Sequence, residues 1–203
     1  MGYTCRTYPV VPEEDGMATA EAVSRTTREE YERMAAAGVF ADRRVELIDG
    51  VVYEMTPQES PHASGIRRAL RALLAVFPIE QYNVDVQLPL ALGDLDLPEP
   101  DLAVVPRDPR DYLDAHPTGA VLVLEVTDTS QYHDRNRKVR TYAKAGIEDY
   151  WIVNIARDIL EVYRDPSGDT YRTRRILHRG ETIAPLGRPE ATVPVDDLLP
   201  VRI

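Results

Sequence analysis

The chain has 203 residues, 43% of them hydrophobic, and carries 34 Asp and Glu against 24 Lys and Arg for a formal net charge of -10. That length supports one buried core, and no apolar run is long enough to cross a bilayer. The start lacks a secretory apolar region, so a cytoplasmic protein with no membrane partner is expected. The acidity argues against a phosphate-binding surface spread over the whole molecule, and a lone Cys5 excludes an internal disulfide or a thiolate zinc site.

Residues 1–25 contain Pro9, Pro12, Glu13, Glu14, Asp15 and Gly16 without periodicity, which predicts a mobile or peripheral arm. One domain is expected over 26–203. Thr26 and Thr27 each stand three residues before a glutamate, so either offers a capping box for a helix ending at Gly38. Arg44 to Ile48 and Val51 to Met55 flank Asp49-Gly50, a pair suited to the positive φ angles of a type I′ hairpin. Ser60-Pro61 opens a second helix with Ile66, Leu70, Leu73, Leu74 and Phe77 on one stripe.

Val84, Val86, Leu88, Leu90 and Leu92 alternate with more polar or smaller residues, which predicts a half-buried strand. A turn over 93–100 leads into a short strand, Asp101 to Val105. Ala120 to Val126 is a continuous apolar run typical of a strand covered on both faces, interrupted by Glu125. A helix over 134–145 ends at Gly146, a hairpin follows over 149–154 and 159–163, and the chain from Thr170 alternates in β fashion. The order from residue 60 to 154 is helix, three strands, helix, strand.

Charge is distributed unevenly. Residues 131–180 hold eleven Lys or Arg and seven Asp or Glu, so this stretch is +4 within an acidic chain. Of the 24 basic residues only Lys138 and Lys144 are lysines, a lead toward a position where a compact charge does what arginine cannot, with chance the equal alternative for Lys144. Asp101 and Glu125 stand at strand positions. Two carboxylates 4 Å apart repel by about 4 kcal/mol at an effective dielectric near 20, and a divalent cation removes that penalty. Hard oxygen donors with few histidines suit Mg²⁺ or Mn²⁺, and a nearby lysine would orient an attacking water or offset charge on a phosphoryl oxygen.

Pro100-Asp101, Glu125-Val126 and Asp134-x-x-x-Lys138, followed by Tyr142, Ala145-Gly146 and Tyr150-Trp151, resemble the Uma-type endonucleases of the PD-(D/E)XK nuclease superfamily. Val45-Glu-Leu-Ile-Asp-Gly50 and His62 are similar to the N-terminal signature of that family, so the resemblance covers about residues 26 to 165. It implies an α/β fold with a mixed sheet, a restriction-endonuclease-like core carrying β-hairpin additions, and metal-dependent hydrolysis of nucleic acid. DNA is the expected partner, with RNA left open, and cleavage of both strands would favour a homodimer.

The superfamily pattern wants lysine two residues after Glu125, where this chain has Thr127. On the resemblance, Lys138 supplies the missing cation from the following helix, with Asp101 and Glu125 as catalytic metal ligands. An Asp134 to Lys138 ion pair at i,i+4 spacing, worth about 0.3 to 0.5 kcal/mol, is the plainer reading. Glu46 reads equally as a further ligand or as a solvent-facing hairpin residue. Asp134, His62 and Thr127 are candidates for an outer layer that orients the site, although His62 also reads as a structural residue. A non-catalytic nucleic-acid or protein-binding module of the same fold is the alternative.

Overall fold

The computed structural model describes residues 25–55, 57–128 and 132–201, the side chains of 132–135 excepted. The predicted arm lies outside the described residues apart from Arg25. Thr27, rather than Thr26, caps α1 (Arg28–Ala36): its hydroxyl accepts from the Glu30 N–H while the Glu30 carboxylate accepts from the Thr27 N–H. Each side chain thus satisfies a backbone donor that the helix leaves open. Asp49 and Gly50, with φ of 50° and 73°, turn β1 (Val45–Ile48) into β2 (Val51–Glu54) as the type I′ geometry requires.

The next elements are α2 (Ser60–Val76), β3 (Tyr82–Val86), β4 (Leu102–Pro106), β5 (Leu122–Thr127), α3 (Tyr132–Lys144), β6 (Asp149–Asn154), β7 (Ile159–Ser167) and β8 (Thr170–Leu177). They form a mixed α/β fold around a six-stranded sheet of order β3-β4-β5-β6-β7-β8. Only β5 and β6 are parallel, because α3 carries the chain across between them. The expected helix, three strands, helix, strand therefore runs from α2 to β6.

Alternation sends Leu122, Leu124 and Val126 of β5 to a core shared with Ile66, Ala69 and Leu73 of α2. Val123 faces the opposite core, with Tyr142 and Ala143 of α3 and Tyr150 and Ile152 of β6. The short pair β9 (Thr182–Ile183) and β10 (Val193–Pro194), then α4 (Val195–Leu198), close over the α2 side. Asp149, fully buried, ties this segment down: it accepts from Trp151 Nε1, Arg164 Nε and the Leu186 N–H, each at 2.8 Å.

One predicted element is shorter than its pattern. The strand expected over 84–92 ends at Val86, and Gln87 turns away with φ 52°. Continuing the register of β3 on β4 would set residues 88 and 90 against Pro100 and Pro98, which have no N–H to donate to a ladder. Alternation alone did not contain that constraint.

Gly65 sets how closely α2 lies on β5, since a Cβ there would stand 2.7 Å from Val126 Cγ1 and 3.2 Å from Ile155 Cδ1. Val126 is β-branched and stiff at χ1, so it cannot easily withdraw. Gly65→Val is expected to lower stability by about 1–3 kcal/mol in denaturant unfolding. Adding Val126→Ala should restore part of that loss, which an effect of helix propensity alone would not do.

Candidate active site

The register that builds the sheet also builds the site. One step beyond the pair Leu102↔Leu124, Asp101 falls opposite Glu125, on the α3 side of the sheet. The Asp101 N–H lies 3.4 Å from Glu125 Oε2, and Asp101 Oδ2 accepts from the Val126 N–H at 2.8 Å. Two carboxylates are thereby fixed on adjacent strands. The hairpin brings Glu46 and α3 brings Lys138. Arg137 of α3 lies 3.7 Å from the ring centroid of Tyr53, the β2 partner of Glu46, and so helps seat the hairpin on the helix.

These four side chains are buried: Glu46 is 5% exposed, Asp101 6%, Glu125 8% and Lys138 8%. Lys138 Nζ stands 3.1 Å from Glu125 Oε1 and 3.4 Å from Glu46 Oε2. Tyr142, one helical turn beyond Lys138, donates its hydroxyl to the same Glu125 oxygen at 2.8 Å. Glu46 Oε2 also accepts from the Glu99 N–H at 3.2 Å. Asp101 Oδ1 meets His62 Nε2 at 3.1 Å and accepts from Gln87 Nε2 at 3.2 Å.

Burial and crowding divide the carboxylates electrostatically. Glu125 is pushed up to about 7, first by burial and then by Asp101 and Glu46, with Lys138 and the Tyr142 hydroxyl pulling the other way. For Asp101 burial also raises the value, but the His62 bond, the Val126 N–H and Lys138 outweigh it and hold the carboxyl below its ordinary range. Burial would lower His62, yet its bond and attraction to Asp101 raise it. Among the described residues, one lysine and one histidine thus face three carboxylates. The described side chains of the site carry more negative charge than the described cations offset comfortably.

The structure brings Glu46, Asp101, Glu125, Lys138 and His62 together. The solvent-facing reading of Glu46 does not hold, because all four residues of β1 are buried. Thr127 stays in β5 two residues past Glu125, its carbonyl accepting from the Ile155 N–H. The side chain of Asp134 lies outside the described residues. Lys144, the last residue of α3, is exposed and stands 4.0 Å from Asp49. Sequence reasoning did not assign Tyr142 or Gln87 to the site. The spacing of Tyr142 from Lys138 was a usable signal, whereas Gln87 required the sheet register.

The chain matches the family model described as "Uma2: Putative restriction endonuclease" over residues 28–196. It belongs to the Uma2 family. No curated protein matches it. A solved structure described as "a putative nuclease belonging to DUF820" from Anabaena variabilis is similar, with 17% identity, a TM-score of 0.64 and coverage of 77% of this chain and 90% of that one. At that identity the likeness shows a shared nuclease fold. The type IIG restriction endonuclease BpuSI aligns over 51% of this chain and 11% of its own, with 16% identity and a TM-score of 0.35, too low to carry an argument.

The donor chemistry of this Uma2 site fits a hard divalent cation: carboxylate oxygens are in excess, and none of the described residues there offers a thiolate. Among the described residues, no three acidic or histidine side chains are already gathered as ligands of one ion. Lys138 instead reaches Glu46 and Glu125 and takes up part of their charge.

Lys138→Met, studied in EDTA, would leave Glu125 and Glu46 buried without that cation. A loss of about 3–5 kcal/mol is expected near pH 8. A buried acid with a raised value binds more protons folded than unfolded, so stability falls as pH rises from the ordinary 4.5 through the folded value, about 7 with the lysine present. The deficit of the variant should therefore shrink toward about pH 5, where Glu125 takes a proton. Urea midpoints across pH check it, and a pH-independent deficit contradicts the charge argument.

Proposed function

We propose that this protein is a metal-dependent endonuclease that hydrolyses phosphodiester bonds in DNA. The observation that carries the reading is the buried convergence of Glu46 and Glu125 on Lys138, 3.4 and 3.1 Å from its Nζ, with Asp101 buried beside Glu125. In this reading Asp101 and Glu125, joined by Glu46, would hold Mg²⁺ or Mn²⁺, which when bound would supply polarisation of the phosphodiester and easier ionisation of water.

The remaining chemistry belongs to the chain. Lys138 orients the attacking water and offsets charge growing on phosphoryl oxygens, work suited to a compact ammonium group with three rotatable donors. Tyr142 fixes the rotamer of Glu125, and the Val126 N–H with His62 fixes Asp101. Lys138 thus takes, from a helix, the part that the PD-(D/E)XK pattern assigns to the strand position held here by Thr127.

A second reading is a binding module that keeps the fold without hydrolysis. The direct contacts of Lys138 with both Glu46 and Glu125 favour it, since they already compensate part of the buried charge. Calorimetry with Mn²⁺ and cleavage of supercoiled, single-stranded and branched DNA, with RNA alongside, separate the two. The nuclease reading expects Mn²⁺ uptake that Asp101→Asn and Glu125→Gln abolish, and DNA cleavage reduced on the order of 10²-fold or more by Lys138→Met. Folded, Mn²⁺-loaded protein that cleaves neither DNA nor RNA would overturn the nuclease assignment. Cleavage confined to RNA would redirect it.

A further inference from the structure

Gln87 combines an unfavourable backbone with contacts that all serve the site. Its φ of 52° lies in the left-handed region, which a side chain without a short local hydrogen-bonding group seldom enters. No glycine relieves the strain. Just past the last ladder pair of β3 and β4, Val86↔Leu102, Gln87 leaves the strand beside Asp101, which in turn lies beside Glu125 of β5. The Gln87 N–H points back at the Pro100 and Asp101 carbonyls, 3.2 and 3.3 Å away. Its side-chain amide donates to Asp101 Oδ1 at 3.2 Å.

The far end of the amide is also held. Arg44, the residue before β1, donates through Nη1 to Gln87 Oε1 at 3.4 Å, while its Nη2 meets Glu99 Oε2 at 3.1 Å. With its carbonyl oxygen accepting from a guanidinium, Gln87 presents its NH₂ end to Asp101. Glu99 in turn offers its backbone N–H to Glu46. Arg44 and Gln87 therefore link the segments that deliver Glu46 and Asp101, and backbone strain kept at such a point is what a positioning function would require.

We propose that Gln87 is a positioning residue: it fixes the rotamer of Asp101 so that the carboxylate is poised to take a divalent cation. The proposal rests on the nuclease reading, and its test reads metal uptake rather than turnover. Gln87→Gly removes both the amide and the strain, whereas Gln87→Met removes the amide alone at similar volume. Mn²⁺ titration by calorimetry is paired with thermal unfolding in EDTA for the full chain and both variants.

Both variants are expected to raise the Mn²⁺ dissociation constant about 10- to 100-fold, as loss of a hydrogen bond to a metal ligand does. Gln87→Gly should do so with an unchanged or higher Tm, a combination that a purely structural role does not produce. If wild-type protein binds Mn²⁺ and both variants bind it equally well, the positioning role is wrong and the nuclease reading stands. Weakened uptake confined to Gln87→Gly would also overturn it, since backbone strain rather than the amide would then be the cause. Wild-type protein that takes up no Mn²⁺ overturns both.

Discussion

One ammonium group set among three buried carboxylates is the constraint around which the rest of the molecule is arranged. Transferring such charges out of water costs several kcal/mol each, so they persist only where every oxygen has a partner and the geometry is held from several directions. Here the partners come from separate elements: Glu46 from a hairpin, Asp101 and Glu125 from adjacent strands, Lys138 and Tyr142 from one face of a helix. None of these elements could place the group alone. The parallel step from β5 to β6 lays α3 over the α3-side face of β5, and that crossover brings Lys138 down onto Glu125.

The two faces of the sheet divide the labour. The α2 face is apolar throughout β5, with Leu122, Leu124 and Val126 packed on Ile66, Ala69 and Leu73. The α3 face mixes an aromatic core with the charged site. At the end of β5 the division meets a single residue: the Val126 side chain lies under Gly65 while its N–H holds Asp101. The close approach of α2 there brings His62 to Asp101, so packing on one face sets the hydrogen bonding of the site on the other.

Most of the architecture was legible in local chemistry. The Thr27 cap, the Asp49-Gly50 turn, the apolar run of β5 and the helix, three strands, helix, strand order follow from side-chain type and spacing. Glu125 was conspicuous because a carboxylate inside an apolar strand needs a compensating group. What was not legible depends on which strand lies beside which. Glu46 could face either way on an isolated hairpin, and only its docking against α3 decides that it points inward. The early end of β3 follows from prolines some ten residues further along the chain, and Gln87 meets Asp101 only through the register they help to set.

The choice of lysine at position 138 follows from the same crowding. In a chain whose 24 basic residues include only two lysines, a guanidinium would be the default cation. A guanidinium prefers a planar, two-toothed approach to one carboxylate, which would compete with the Tyr142 hydroxyl for Glu125 Oε1 and leave Glu46 less well served. An ammonium group can divide its three donors among neighbours that share no plane. That freedom lets one charge answer Glu125 and Glu46 together, while Lys144, exposed at the end of the same helix, faces no such demand.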